Sequence, residues 1–321
     1  MNRKSCLAVI LLCLLLVFPV VSVKGASDGL LLWFHVVLPT LSPFIICTQA
    51  IVALHAVELI MRPVYPLFKR MFHLSMPGAY VLLCGLLCGY PLGARLCAQF
   101  LESGRITERE AKQLLAICNH PSPMFLLGYV RNQIPSFVSP ILLLLCMYLP
   151  ILPLSVIAGR VYRKDKEPRN KSAGDNVSSL SEVTVQQGAP VSLEKIIHST
   201  CETMVLIGAY MMLFSILAAW INACPFFSDT VKAMCVAVTE ITVGVHSLCI
   251  FLPRSLVLPA VLACVSFGGL SGIFQTKSVI RCETKNAGLN VRHYVLWKIL
   301  HAALACAVFA ALTALFGALP R

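Results

Sequence analysis

Long apolar stretches separated by short polar turns recur along the chain. They lie at about 30–54, 78–101, 113–134, 137–160, 195–221, 231–252, 255–276 and 293–318. Each approaches the ~20 residues a helix needs to cross hydrocarbon. The pattern predicts an all-α polytopic membrane protein with about 8–9 hydrophobic segments. The N-terminus, "MNRKSCLAVILLCLLLVFPVVSVKG", joins a basic start to an apolar run. Residues 1–24 therefore read either as a transmembrane helix or as a signal peptide with Val23-x-Gly25 at its cleavage site.

One long stretch departs from the pattern. Residues 162–193 are rich in Ser, Asn, Gly and charge and offer nothing to bury. They read as a polar linker dividing a first membrane half, 29–161, from a second, 194–321. Its basic end (Arg160, Arg163, Lys164, Lys166, Arg169, Lys171) predicts a cytoplasmic location. The 62–73 loop, with Arg62, Lys69, Arg70 and His73, calls for the same side. An even number of crossings must then separate the two, yet three apolar segments intervene, so one of them folds back. The 78–101 segment, broken by "GYPLG", is the first candidate, and 113–134, broken by "NHPSP", is the second.

Composition agrees with this reading: 58% hydrophobic residues, 12% charged and a mean hydropathy of +0.82. The net charge of +12 does not point to nucleic acid, because much of the Lys and Arg sits in turns between apolar runs. Fifteen cysteines lie mostly inside the apolar runs, without a Cys-x-x-Cys pair, and read as small packing residues. No metal or other cofactor is expected. No hydrolase motif, zinc motif or phosphate loop occurs, so an enzyme is not expected either.

Three constellations carry candidate chemistry. In "GYPLGAR", Gly89, Tyr90, Pro91 and Gly93 break a helix, and Arg95 adds a fixed charge. Backbone groups freed in hydrocarbon must be buried in protein or line a watery cavity. The alternative is a kink whose small residues allow close packing. In "ICNHPSP", Asn119, His120 and Ser122 lie beside two prolines, where helix ends can present backbone groups to a ligand. His120 reads more readily as a structural residue than as a proton relay. In "VAVTEITVG", Glu240 falls within an apolar run beside Thr239. It reads either as a polar-ligand or proton site, or as half of an ion pair between helices. The glycines Gly268, Gly269 and Gly272, with Ser271, echo the Gly89/Gly93 spacing and hint at two repeat-related halves with broken or re-entrant helices.

"GLLLWFHVVLPTLSPFI" (29–45), "GYPLGARLCAQFLESGRITEREAKQLLAICNHPSPMFLLG" (89–128), "TEITVG" and "SFGGLSG" together resemble the sporulation integral membrane protein YlbJ family. That family is related to the nucleoside-recognition, or Gate domain, group. The resemblance implies a multi-pass cell-membrane protein of spore formation, with sporulation membrane proteins as partners. It also implies transporter-like broken helices and re-entrant hairpins that take a small polar solute such as a nucleoside. That role carries onto Gly89, Pro91, Gly93, Asn119, Glu240 and the Gly268–Gly272 stretch. Where the family pattern has a second asparagine and a small residue, this chain has His120 and Pro121. A second expectation from a different class is a non-transporting scaffold for the spore envelope or coat.

Overall fold

The structure, a computed structural model, describes residues 3–135, 138–163, 192–283 and 289–316. The interior of the expected 162–193 linker lies outside the described residues. The described residues form helices and no strands. Among the described residues, five helices are long and apolar enough to cross a membrane: Pro19–Ala53, Pro140–Tyr162, Leu193–Ala223, Arg254–Ile280 and Val291–Leu315. The chain is an all-α polytopic membrane protein.

Local chemistry sets the helix starts. Ser75, Thr107, Ser122 and Ser192 each accept a hydrogen bond from the backbone N–H three residues on, at 3.1–3.4 Å. Proline follows Ser122 and Ser139 directly, at the helix position where a missing N–H costs nothing. The first long helix runs through residues 24–29, where a boundary was expected. The break instead falls at Phe18, between Arg3–Val17 and Pro19–Ala53. The expected 62–73 loop contains the short helix Tyr65–Phe72, which exposes Lys69 and Arg70 and meets the next helix at 93°.

The 78–101 segment folds back on itself. Met76–Cys88 and Leu92–Glu102 have 13 and 11 residues, or roughly 20 and 17 Å, too short to cross ~30 Å of hydrocarbon. The rings of Tyr80 and Phe100 stack at 6.1 Å between the two arms. A Cβ at Gly93 would overlap the Cys118 carbonyl oxygen and come within 3.1 Å of the Gly85 Cα. Here glycine permits a helix-to-helix approach that alanine would block. Glu108–Ile117 then returns along this hairpin, from Glu110 beside Ser75 (2.7 Å) to the residues at its tip. The chain breaks at 118–122 and continues as Pro123–Gln133. Pro140–Tyr162 comes back to the starting end, where Gln113 Nε2 bonds both the Phe72 carbonyl (3.1 Å) and Ser155 (3.4 Å). The first of the two candidate segments is therefore the one that folds back, and the ends of 62–73 and 140–162 lie together.

The second run of elements follows the same order. A long helix, Leu193–Ala223, precedes a hairpin of Asp229–Thr239 and Ile241–Phe251 with Glu240 at its tip. The arms close so tightly that a Cβ on Gly244 would overlap Ala237. A broken helix follows, Arg254–Phe267 and Gly269–Glu283, and then the long Val291–Phe316. Glu240 had been expected inside one continuous helix. It is instead a turning point, because its extended backbone (φ −141°, ψ 126°) ends one helix and its carboxylate starts the next. The order of elements also changes the expected echo. Gly89–Pro91 corresponds to Glu240, and 118–122 to Gly268–Gly269.

Two joints bind the two runs together. Ser22, Gly25 and Gly29 let Pro19–Ala53 lie close against Leu193–Ala223, where Trp220 Nε1 donates to Ser22 (2.9 Å). Trp33 lies against Gly208 in the same joint. At the other end, Trp297 Nε1 donates to the Tyr162 hydroxyl at 2.7 Å.

Candidate functional site

The four interruptions converge. Gly89, with φ +83°, turns the first tip toward the 118–122 break, where Tyr90 N–H donates to the His120 carbonyl at 3.0 Å. That angle is open to glycine and strained for other residues. The Tyr90–Pro91 peptide is cis. Gly268 and Gly269 are likewise left-handed (φ +82° and +66°), and Gly269 lies against Thr239 and Ile241 at the second tip. The two systems meet at Tyr90, whose ring lies beside Gly268 and Gly272.

A cavity of about 250 Å³ opens where they meet. Its polar wall includes Tyr90, Ser122, Glu240, Ser271 and Gln275, one or more from each interrupted region. The Pro19–Ala53 helix contributes His35 and Thr40 beside a single widened turn, in which Leu38 N–H bonds the Trp33 carbonyl. A second widened turn, at Leu126–Val130, brings Gly128 and Tyr129 to the wall. Such turns add a residue to a helix and recur at functional sites. Phe125, Ile207 and Met211 complete an apolar side. The mixture of apolar wall and few polar groups is that of a small-molecule site, slightly below the ~300–1,000 Å³ of drug-sized pockets.

Glu240 is 1% exposed. Its Oε2 accepts from Thr242 N–H and Val243 N–H, both at 2.9 Å, and from the Thr242 hydroxyl. The carboxylate thus caps the Ile241–Phe251 helix, where the helix dipole favours negative charge. The ion pair weighed for it does not form among the described residues. Thr239 turns its hydroxyl back onto the Cys235 carbonyl (2.8 Å).

The other expected site residues are built in next to the cavity. Asn119 accepts from Ala94 N–H (3.4 Å) and donates to Thr276 (2.9 Å) and to Tyr294 (2.7 Å). It ties the first hairpin to the last two helices. Arg95 leads elsewhere, its guanidinium donating to Thr203 and Ser199 of Leu193–Ala223 at 2.6 Å each. Gly93 serves helix packing, as described above. His120 is buried against the ring of His301, with centroids 4.2 Å apart.

Behind Tyr90 lie groups that the sequence reading did not single out. Lys298 is 1% exposed and donates to the Asn119 carbonyl at 3.1 Å, with its ammonium 5.6 Å from the centre of the Tyr90 ring. His301 Nε2 lies 2.9 Å from the Met147 carbonyl. The signal was available: Tyr294, Lys298 and His301 follow i, i+4, i+7 spacing, one polar stripe on an otherwise apolar helix.

The chain is 26% identical over 208 residues to the sporulation integral membrane protein YlbJ of Bacillus subtilis (strain 168). The match covers 62% of this chain and 51% of that protein, so the chain spans about half the length of the relative it matches. No family model matches, and no solved structure does. The likeness to that curated relative agrees with the resemblance to the YlbJ family of integral membrane proteins.

Proposed function

We propose that this protein is a transporter-like membrane protein of spore formation that binds and moves, or senses, a small polar solute in the cavity between its four interrupted helices. One observation carries the reading: two hairpin tips and two helix breaks, from both runs of the chain, meet at one cavity with an acid in its wall. Helix ends at mid-membrane supply backbone groups and dipoles that hold polar solutes. The repeated order of elements gives such a site the means to change access from one side to the other. The basic flanks of 62–73 and 162–193 support a cytoplasmic side for both.

The spore-formation assignment rests on the curated relative's name, and the solute class of nucleosides rests on the resemblance to the Gate group. The test is thermal unfolding of the purified protein against a panel of nucleosides and nucleobases. A ligand at 100 times its Kd adds about 2.7 kcal/mol to the stability of the form that binds it. At least one compound should raise the melting temperature in wild type and lose that effect in Glu240→Gln. A panel without effect removes the solute reading.

The scaffold reading draws on a different observation: Gly93, Arg95 and Asn119 are all engaged in binding helices to one another. It expects no solute effect, and mislocalised envelope partners when residues 164–191 are deleted.

A further inference from the structure

Lys298, His301 and His120 form a basic cluster with no acid among its contacts. Lys298 is an amine inside an apolar helix, and among the described residues no carboxylate reaches it. Its partners are one backbone carbonyl and one aromatic face. An ammonium buried in this way is costly unless it can give up its proton. Both imidazoles lie within electrostatic reach of Lys298. Neither nitrogen of His120 has a hydrogen-bond partner, nor does His301 Nδ1 or the Tyr90 hydroxyl.

Several neighbouring elements contribute to this cluster, including Met147 of Pro140–Tyr148 and Ser266 of Arg254–Phe267 beside His301. Tyr294 and His301 come from its own helix, and Cys118 and His120 from the 118–122 break. Tyr90 comes from the first hairpin tip and Thr276 from the Gly269–Glu283 helix. Glu240 acts on Tyr90 from the cavity side. Three basic groups so close cannot all be charged, since like charges oppose one another's protonation. The two imidazoles are in ring contact.

We propose that Lys298, backed by His301 and His120, is a proton-binding site that communicates with the solute cavity through Tyr90. The step is a plain transfer. The free amine accepts H⁺ from water, the ammonium donates to the Asn119 carbonyl, and the proton returns to water once access has changed. Tyr90 is the link, because one side of the residue lines the cavity and its ring faces the ammonium. A proton arriving at Lys298 therefore alters the wall the solute meets. The coupling, though not the proton site itself, rests on the solute reading above.

The test uses the full chain in detergent, labelled with ¹³C at lysine Cε and followed by NMR from about pH 5 to 9. Lys298→Met identifies the signal by its loss, and Lys298→Arg serves if the methionine variant does not fold. The Lys298 signal should move between free-amine and ammonium positions inside this range. His301→Gln should shift its midpoint by about one pH unit, a tenfold change in proton concentration. A signal fixed at either position throughout overturns the proposal, and one fixed at the ammonium position makes Lys298 a permanent cap on the broken helix. Uridine, or whichever panel nucleoside stabilises the protein, should move the midpoint further. A nucleoside that stabilises without moving it overturns the coupling. If no nucleoside binds, the solute reading fails, while the titration alone still decides the proton site.

Discussion

The two hairpins solve one folding problem in different ways. The first turns through three residues, Gly89-Tyr90-Pro91, and is locked from outside by the Cys118 carbonyl seated against Gly85 and Gly93. The second turns on Glu240 alone, whose carboxylate caps the returning arm, and its arms are closed by Ala237 against Gly244. The first is therefore fixed by neighbouring backbone and the second by one side chain and its own arms. A tip that depends on one ionisable side chain can respond to what that side chain meets. A tip wedged by backbone mainly positions others.

This contrast predicts a ranking. Gly93→Val should be the most damaging, because the Cys118 carbonyl is part of a packed break and cannot retreat. A loss of about 3 kcal/mol or more is expected, read as loss of monodisperse protein in size-exclusion chromatography. Equal damage from Gly244→Ala would erase the difference between an external lock and an internal one. Glu240→Ala should cost about 1–2 kcal/mol, since it uncaps two N–H groups. Glu240→Gln keeps an oxygen acceptor and should melt closer to wild type. If both melt alike, the cap is not what holds the second tip. The smallest effect belongs to Tyr148→Phe, which removes the bond to the Pro121 carbonyl (2.8 Å) and should cost about 1 kcal/mol by thermal melting.

The same contrast explains what the sequence disclosed. The first tip was legible because glycine and proline announce a broken helix in any solvent, and the charge count required one of three segments to fold back. The second was not. "VTEITVG" has no proline, and an acid that ends a helix by capping the next one looks, in one dimension, like an acid inside a helix. The Gly268–Gly272 stretch was legible as a break, but its contact with the Tyr90 ring was not. Asn119 and Arg95 stood out by polarity, yet their partners in the second run lie 104–179 residues away, and sequence spacing carries no information over such separations. Lys298 was overlooked because hydropathy averages one cation away over a long apolar helix, although its stripe with Tyr294 and His301 was on view.

All three tryptophans of the chain stand at seams between its first and second runs: Trp33 on Gly208, Trp220 on Ser22, and Trp297 on Tyr162. Ultraviolet emission from the unlabelled molecule is thus a strain gauge for those seams. A rocking of one bundle against the other changes its colour and intensity, whereas rearrangement confined to the hairpin tips leaves the glow unaltered.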